Sequence, residues 1–265
     1  MRIDRDLVRR IEGSSARAEA LHAEVLAQMS PTSGAAAEWF DDAALVALGA
    51  DRYVNRALAF GLGAAPASDC VDALERFFGS RSLVPSAEVS PWVGADLLAE
   101  MRRRGYGVDW FRNVYAHELG GLPPRSQAVD IAEVSAATYD AWREILGGDA
   151  APGSPARAVS DEGCESRHRI PGAVDLVGSI AGEVVATGSV RIGGGIASIG
   201  GAATRHSARG RGAQQAMIVE RLHRARESGA DLVVATALAD GPSARNLVAL
   251  GFQLLYTQVV LTKPL

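Results

Sequence analysis

At the centre of this chain lies one segment with two different halves, Thr204-Arg-His-Ser-Ala-Arg-Gly-Arg-Gly-Ala-Gln-Gln-Ala-Met-Ile-Val-Glu-Arg-Leu-His-Arg-Ala-Arg-Glu-Ser-Gly229. The first half, through Ala213, is basic and contains two glycines. The second half predicts a helix, because Ile218, Leu222 and Ala225 recur at helical spacing and form one apolar stripe. A strand of small residues is predicted before the segment and a buried strand after it. The predicted order is therefore strand, glycine-rich basic loop, helix, strand.

This loop combines the features of an anion-binding site. A helix N-terminus offers unpaired N–H groups and the positive end of the helix dipole. Gly210 and Gly212 let the backbone approach an anion closely, and the neighbouring arginines add positive charge. The segment lacks the Gly-Lys-Ser/Thr ending of a P-loop, and Gln215 stands where a dinucleotide fingerprint needs its third glycine. The loop predicts a pyrophosphate cradle, and the alternative is a basic surface turn that caps an ordinary helix.

These residues resemble the GNAT acyltransferases, whose Arg/Gln-x-x-Gly-x-Gly/Ala signature binds the pyrophosphate of acetyl-CoA. The match runs from Arg209 to Gln214 and departs at Gln214, where glycine or alanine is usual. The resemblance implies that the loop holds the pyrophosphate, that the end of the preceding strand pairs with the pantetheine arm, and that no metal takes part. The residues it implies for acetyl-CoA are Ala202, Ala203, Thr204, Arg209, Gly210, Arg211, Gly212, Ala213, Gln214, Ser243 and Asn246. Ser243 is alternatively a helix cap, and Asn246 a solvated polar residue.

The order of predicted elements extends the resemblance to the fold. Residues 122–265 predict β-α-(α)-β-β-β-α-β-α-β, the order of a complete GNAT domain with a mixed α/β sheet, and the region 149–171 within them predicts a loop with a weak helix. Residues 1–121 predict leading helices and then β-α-β-α-β. The counterpart of the phosphate loop there, Phe60–Pro66, has no arginine. This half looks like the degenerate half of tandem GNAT proteins, and the alternative is an unrelated α/β domain.

The resemblance also implies the chemistry, in which an amine attacks the thioester directly. A free backbone N–H near Ala202 would polarise the thioester carbonyl, and Gly200-Gly201 predicts a bulge or a close ligand approach, or else a kink needed only for packing. Family members often place a tyrosine four residues before the Gly-Phe that ends the last helix. Here Gly251-Phe252 is present, but the residue four positions before it is Leu247. Tyr256 on the final strand is the candidate acid in its place, and the alternative is an ordinary strand aromatic.

No general base stands out in the sequence. The strand before the loop has no carboxylate or histidine, and His206 beside the loop suits a phosphate contact or solvent exposure better than catalysis. Glu88, Asp109 and His117 lie in the first half and fit surface or structural roles better. A water relay, or an amine that arrives neutral, would remove the need for a dedicated base.

Composition limits the class of protein further. The chain has 265 residues and a formal net charge of −4, which argues against a general nucleic-acid binder. Cys70 and Cys164 have no metal or redox spacing, which fits a reducing compartment. The first ten residues carry charges where a signal peptide needs an apolar core, and no run of about 18 apolar residues predicts a membrane span. We therefore expect a cytoplasmic protein.

Together these observations predict an N-acetyltransferase that transfers an acetyl group from acetyl-CoA to a primary amine of a small molecule. Two alternatives stay open, a catalytically inactive CoA-binding regulatory or scaffold protein and a binder of another phosphorylated ligand. The sequence does not identify the acceptor, and it is compatible with a homodimer.

Overall fold

The computed structural model describes residues 1–148 and 150–264. They form two compact units. Unit 1 comprises Met1–Val114 and Leu255–Leu265, and unit 2 comprises Tyr115–Leu254. Each unit contains a sheet with both parallel and antiparallel strands and helices packed against it. The predicted α/β class with a mixed sheet is confirmed.

The helices and strands follow the chain in one series. From the N-terminus they are α1 (Arg5–Met29), β1 (Ala36–Phe40), β2 (Ala43–Ala47), β3 (Asn55–Leu58), α2 (Ala67–Gly79), β4 (Ser86–Val89), α3 (Ala95–Arg103) and β5 (Gly107–His117). They continue as β6 (Asp130–Glu133), α4 (Tyr139–Leu146), α5 (Pro155–His168), β7 (Ala173–Ile180), β8 (Glu183–Gly193), β9 (Ile196–Thr204), α6 (Ala213–Glu227), β10 (Leu232–Ala237), α7 (Pro242–Ala249) and β11 (Gln253–Thr262).

In unit 1 the strand order is β1-β2-β3-β4-β11-β5. The β1–β2 hairpin is antiparallel, β3 and β4 are parallel, and β11 is antiparallel to β4. Helix α1 begins at Asp4, whose carboxylate accepts a hydrogen bond from the N–H of Leu7, and it packs on β1 and β2. On α2, buried apolar residues that include Leu74, Phe77 and Phe78 form a core with β2.

In unit 2 the strand order is β10-β9-β8-β7-β6, with β9 and β10 parallel and the other neighbours antiparallel. Successive residues of β7 face opposite sides of the sheet. Leu176 packs with Met217 of α6, and Val177 packs with Trp142 of α4 and Cys164 of α5. Helix α6 therefore covers one face, and α4 and α5 cover the other.

Two elements differ from the sequence predictions. Residues 155–168, predicted within a loop with a weak helix, form the 14-residue helix α5, which starts with Ser154 as N-cap and a proline in its first turn. Asp149, where that predicted segment begins, lies outside the described residues. In the first half, the apolar stretches 36–40 and 43–47 form the β1–β2 hairpin, so three strands rather than one precede α2.

The compact units also differ from the predicted division into residues 1–121 and 122–265. The chain passes from unit 1 to unit 2 between Val114 and Tyr115, and its last residues return to unit 1. The physical reason is strand pairing, because Val259–Thr262 of β11 are in antiparallel register with Ser86–Val89 of β4. The interpretation of the first half as a degenerate GNAT repeat stays a prediction.

Candidate functional site

Strand β9 in unit 2 has an open edge. Its pairing with β10 runs only from Ile196 to Ser198. In the described part of the chain, no residue of β10 is in register with residues 199–204. Backbone N–H and C=O groups along this edge can therefore bond to a ligand in the manner of an added strand.

A β-bulge interrupts the other edge of β9. Thr187 pairs with Ala203 and Ser189 pairs with Gly200, so one residue of β8 faces two residues of β9, Gly201 and Ala202. Gly201 has φ +56°, and a Cβ atom there would lie 2.9 Å from the Oγ of Ser189. Both the backbone conformation and the space require glycine at this position. The predicted irregularity at Gly200-Gly201 is present as a bulge.

Side chains hold the two carbonyl groups of the bulge. The hydroxyl of Thr187 donates to the carbonyl oxygen of Gly201 at 2.9 Å. Arg221 of α6 donates from Nη1 to the carbonyl oxygen of Gly200 at 3.1 Å and from Nε to that of Met217 at 2.9 Å. Burial lowers the pKa of Arg221 to about 10, so the guanidinium remains charged at neutral pH. The bulge therefore lies next to a buried positive charge.

The sequence analysis did not predict the burial of Arg221, since the apolar stripe of α6 was defined by Ile218, Leu222 and Ala225 alone. The side chain is 1% exposed. Arg221 follows Met217 by four residues and precedes Ala225 by four, and both of those residues are buried. Residues four apart lie on one helix face, so the spacing alone placed Arg221 on the buried side.

The basic loop leads into α6 through two glycines with left-handed backbone. Gly210 has φ +75° and Gly212, the residue before the helix, has φ +79°. No side chain caps the start of α6, and the N–H of Ala216 donates to the carbonyl oxygen of Gly212 at 3.0 Å. The N–H groups of residues 213–215 thus lie ahead of the helical ladder, where an anion is favoured.

Arginines add positive charge to this loop. Arg209 and Arg211 are exposed, and within residues 1–148 and 150–264 neither has a hydrogen-bond or ion-pair partner. Arg205, which precedes them, is held by Glu144 of α4 through hydrogen bonds of 2.8 and 3.1 Å. Those hydrogen bonds lower the pKa of Glu144. The loop therefore has one fixed arginine and two that are available for an anion.

The loop borders a cleft of about 1680 Å³ within unit 2. Pockets for drug-sized ligands occupy about 300–1,000 Å³, so this cleft can hold a longer molecule. The ends of α4, α5, β9 and α7 and the first turn of α6 contribute to its walls. Asp161 on α5 also lines it, and accepts a hydrogen bond from Arg157 at 2.8 Å.

Side chains of α6 and α7 meet at one end of the cleft. Gln214 donates to Ser243 at 3.2 Å and accepts from Asn246 at 2.8 Å, and Gln215 donates to Asn246 at 3.3 Å. The N-cap of α7 is Gly241, so Ser243 does not cap that helix. Four polar side chains are thus grouped beside the start of α6.

The structure brings nearly all of the implied acetyl-CoA residues together. Those that line the cleft are Ala202, Ala203, Thr204, Arg209, Gly210, Gly212, Ala213, Gln214, Ser243 and Asn246. Arg211 is in the same loop but not in the lining. Their assignment to acetyl-CoA stays a prediction.

For Tyr256 the structure differs from the prediction of a catalytic acid. Tyr256 lies in unit 1, is buried, and donates a hydrogen bond to Glu12 at 2.8 Å. Burial and the nearby Glu12 raise its pKa. It is not among the residues that line the cleft of unit 2. The alternative, a structural strand aromatic, fits this environment.

The residues weighed as a general base have structural contacts. Glu88 accepts hydrogen bonds from Arg56 and Arg112 in unit 1. His117 accepts a hydrogen bond from the N–H of Leu119 at 2.9 Å, and burial lowers its pKa. Asp109, Glu88 and His117 are absent from the cleft lining, whereas His206 is part of it.

The described residues contain neither a cluster of metal ligands nor a helix suited to cross a membrane. Among them, no group of three or more His, Cys, Asp or Glu side chains is arranged to hold a metal ion. No described helix combines the length and the apolar character that crossing a membrane requires.

Comparison with known proteins identifies the fold. No protein-family model and no curated protein sequence matches the chain. Solved structures do match it. A GCN5-related N-acetyltransferase from Kribbella flavida has a TM-score of 0.63 at 23% identity, with 93% of this chain and 95% of that chain covered. Because 93% of the chain is covered, the match extends over both units.

Two other structures agree. A GCN5-related N-acetyltransferase from Sphaerobacter thermophilus has a TM-score of 0.57 at 20% identity, with 83% of this chain and 80% of that chain covered. A tandem GNAT protein from the clavulanic acid biosynthesis pathway has a TM-score of 0.59 at 15% identity, with 83% and 78% covered. The chain has the GNAT fold.

Proposed function

Given this fold and the open cleft of unit 2, we propose that the protein is an acyltransferase that moves the acetyl group of acetyl-CoA to a primary amine of a small molecule. The observation that carries the proposal is the alignment of three features along one cleft. These are the open edge of β9, the bulge at Gly201 and the uncapped start of α6.

The pantetheine arm and the pyrophosphate of acetyl-CoA each have a matching part of the cleft. The pantetheine arm carries amide groups, which the open backbone edge of residues 199–204 can pair with. The pyrophosphate is a compact anion, and it suits the N–H groups of residues 213–215 together with Arg209. Gln214, Ser243 and Asn246 would exchange their mutual hydrogen bonds for bonds to the ligand.

The reaction needs positioning and electrostatics more than a reactive side chain. The amine nitrogen attacks the thioester carbon, a C–N bond forms and the C–S bond breaks. The nitrogen loses one proton, and the leaving thiolate takes one up. Negative charge grows on the thioester oxygen during the attack, and backbone N–H groups at the bulge near Ala202 would stabilise it. Acetyl-CoA supplies the activated acyl group, and the chain supplies orientation.

Among the described residues, few groups in the cleft are placed for proton transfer. The carboxylates that line it, Glu144 and Asp161, are both bonded to arginines, and His206 is exposed beside the basic loop. Leu247 is buried where family members often have a tyrosine. These observations favour either a water-mediated proton path or a second candidate function, a CoA-binding protein without catalysis.

Thiol release from acetyl-CoA in the presence of a panel of primary amines tests the proposal. Wild-type protein should release CoA with at least one amine, and the double variant Arg209→Glu, Gly212→Asp should lose this activity because it places negative charge in the cradle. Binding of acetyl-CoA without thiol release by any amine would favour the inactive binder. Equal binding of ADP and acetyl-CoA would instead favour a site for other phosphorylated ligands.

A further inference from the structure

Arg221 is a buried cation without an anionic partner. Across residues 1–148 and 150–264, its hydrogen-bond acceptors are two backbone carbonyl oxygens, those of Met217 and Gly200, and no carboxylate lies within ion-pair distance. Burying a charge that no opposite charge compensates lowers the stability of a fold. A contribution to the stability of the fold therefore does not explain why an arginine is buried at position 221.

The packing around Arg221 is shaped for a guanidinium. Gly188 of β8 faces it, and a Cβ atom at Gly188 would lie 3.1 Å from both the Nε and the Cζ of Arg221. Arg224, one turn further along α6, has the opposite environment. It is partly exposed and bonded to Glu220 at 2.9 Å and to Glu133. Arg224 is thus paired with carboxylates near the surface, whereas Arg221 lies behind the bulge without an anionic partner among the described residues.

The hydrogen bonds to the bulge fix the direction of its amides. A peptide group is planar and trans, so its C=O and N–H point in opposite directions. When Arg221 holds the carbonyl of Gly200, the N–H of Gly201 points away from Arg221. Thr187 holds the carbonyl of Gly201 in the same way, which fixes the N–H of Ala202. Accepting a hydrogen bond from a cation also polarises the peptide and makes its N–H a stronger donor.

We infer that Arg221 is a positioning residue for the acyl group, acting through the bulge: it orients and polarises the Gly200–Gly201 peptide where the thioester carbonyl would bind. The positive charge of Arg221 also stabilises the negative charge that develops on the thioester oxygen, because the low-dielectric interior screens this interaction only weakly. This inference rests on the proposed function, since it assigns a role within the same site.

The test is the carbonyl signal of bound acetyl-CoA, which needs no acceptor. Wild type, Arg221→Met, Arg221→Lys and the surface control Arg224→Met are each titrated with acetyl-CoA by calorimetry. The ¹³C chemical shift of [1-¹³C]acetyl-CoA is then measured at saturation, and thermal unfolding is recorded. In wild type and in Arg224→Met, the carbonyl resonance of bound acetyl-CoA should lie downfield of the resonance of free acetyl-CoA. Arg221→Met should bind acetyl-CoA but lose most of that downfield shift, and Arg221→Lys should retain part of it.

Each other result has a definite meaning. A wild-type carbonyl shift in an Arg221→Met variant that binds acetyl-CoA overturns the inference and leaves the proposed function standing. Arg221→Met could instead lose acetyl-CoA binding and unfold at a lower temperature. If Arg221→Lys then restores binding, stability and the full carbonyl shift, Arg221 has only a structural role. If Arg221→Met does not fold, Arg221→Lys decides, since an intermediate shift supports the inference and a wild-type shift overturns it. Absence of acetyl-CoA binding in wild type overturns both proposals.

Discussion

Each unit contains a strand, a loop and a helix in the same order, but the groups that contact the two loops differ. In unit 1 the loop between β3 and α2 is bonded by side chains of the same unit. The carboxylate of Asp41 accepts from the N–H of Ala65 at 2.9 Å, and Arg9 donates to the carbonyl oxygen of Leu62 at 2.9 and 2.6 Å. In unit 2 no side chain caps α6, and a large cleft lies beside the loop.

The difference shows how one structural element serves two purposes. A loop that leads from a strand to a helix N-terminus attracts an anion. No side chain caps α2 either, but in unit 1 the carboxylate of Asp41 is bonded to the loop at Ala65, just before the N-cap residue Pro66, and Gly63 leaves room for it. The loop of unit 2 contains arginines instead, which suit an anion supplied by a ligand. We therefore assign ligand binding to unit 2 and a structural role to the loop of unit 1.

One buried charged residue in each unit, Glu88 in unit 1 and Arg221 in unit 2, also differs in its contacts. In unit 1, Glu88 is 1% exposed and accepts from Arg56 Nε at 3.1 Å and from Arg112. In unit 2, Arg221 is equally buried and bonds only to carbonyl oxygens within the described residues. The carboxylate of Glu88 is therefore compensated by two arginines, whereas the guanidinium of Arg221 has no anionic partner among the described residues.

The largest expected effect is on the stability of unit 1. Glu88→Gln leaves Arg56 and Arg112 without their shared carboxylate, and we expect the free energy of unfolding to fall by about 3–5 kcal/mol. Urea unfolding followed by tryptophan fluorescence measures it, since three of the four tryptophans, at positions 39, 92 and 110, lie in unit 1. The matched control is Glu220→Gln, which breaks ion pairs at the surface of unit 2 and should cost less than about 1 kcal/mol. Equal losses in the two variants would remove the distinction between the units.

The second effect is a pH dependence that arises in unit 1. Glu12 accepts hydrogen bonds from Tyr256 and Gln258, and burial, followed by the nearby Glu88, raises its pKa to about 7. The folded state therefore retains a proton that the unfolded state releases above about pH 4.5. Stability contributed by this group is full below pH 4.5 and is lost as the pH rises to about 7, by at most about 3 kcal/mol.

Chemical unfolding between pH 5 and pH 8 checks this sign. Glu12→Gln cannot ionise, so its stability relative to wild type should improve as the pH rises across this range. Glu24→Gln, an exposed position on the same helix, should show no such trend. A relative stability of Glu12→Gln that stays constant with pH would contradict a titrating Glu12.

The smallest expected effect is the loss of stability when the carboxylate of Asp41 in unit 1 is displaced. In Gly63→Ala the new Cβ atom would lie 1.8 Å from Oδ2 of Asp41, so the carboxylate must leave the N–H of Ala65. We expect a loss of about 1 kcal/mol, the value of one exposed charge-assisted hydrogen bond. Asp41→Ala removes the same bond, so the double variant should lose little more than either single variant. Additive losses in this cycle would show that Asp41 does not act through the loop at Gly63.

Local patterns in the sequence were enough to predict much of unit 2. The glycine-rich loop and helix α6 depend on residues close together in the chain, and the structure has them at those places. The cleft lining could also be predicted, because the resemblance concerned one continuous motif and the elements that flank it.

Long-range pairing and burial were not predictable in the same way. The assignment of the last strand to unit 1 depends on pairing between residues far apart, such as Val260 and Glu88. Tyr256 was the candidate acid because Leu247 stands at the usual tyrosine position, and its contact with Glu12, at the other end of the sequence, has no local signal. The burial of Arg221 was not predicted, because charged side chains are usually exposed.

The central claim is that one anion cradle, in unit 2, binds acetyl-CoA. Calorimetric titration of acetyl-CoA into wild type and into the Arg209→Glu, Gly212→Asp variant tests it most directly, with Ala64→Asp in the loop of unit 1 as control. We predict one site per chain, with an affinity near micromolar that corresponds to about 8 kcal/mol. The unit 2 variant should lose binding and Ala64→Asp should keep it. Full binding by the unit 2 variant, or a loss caused by Ala64→Asp alone, would contradict the account.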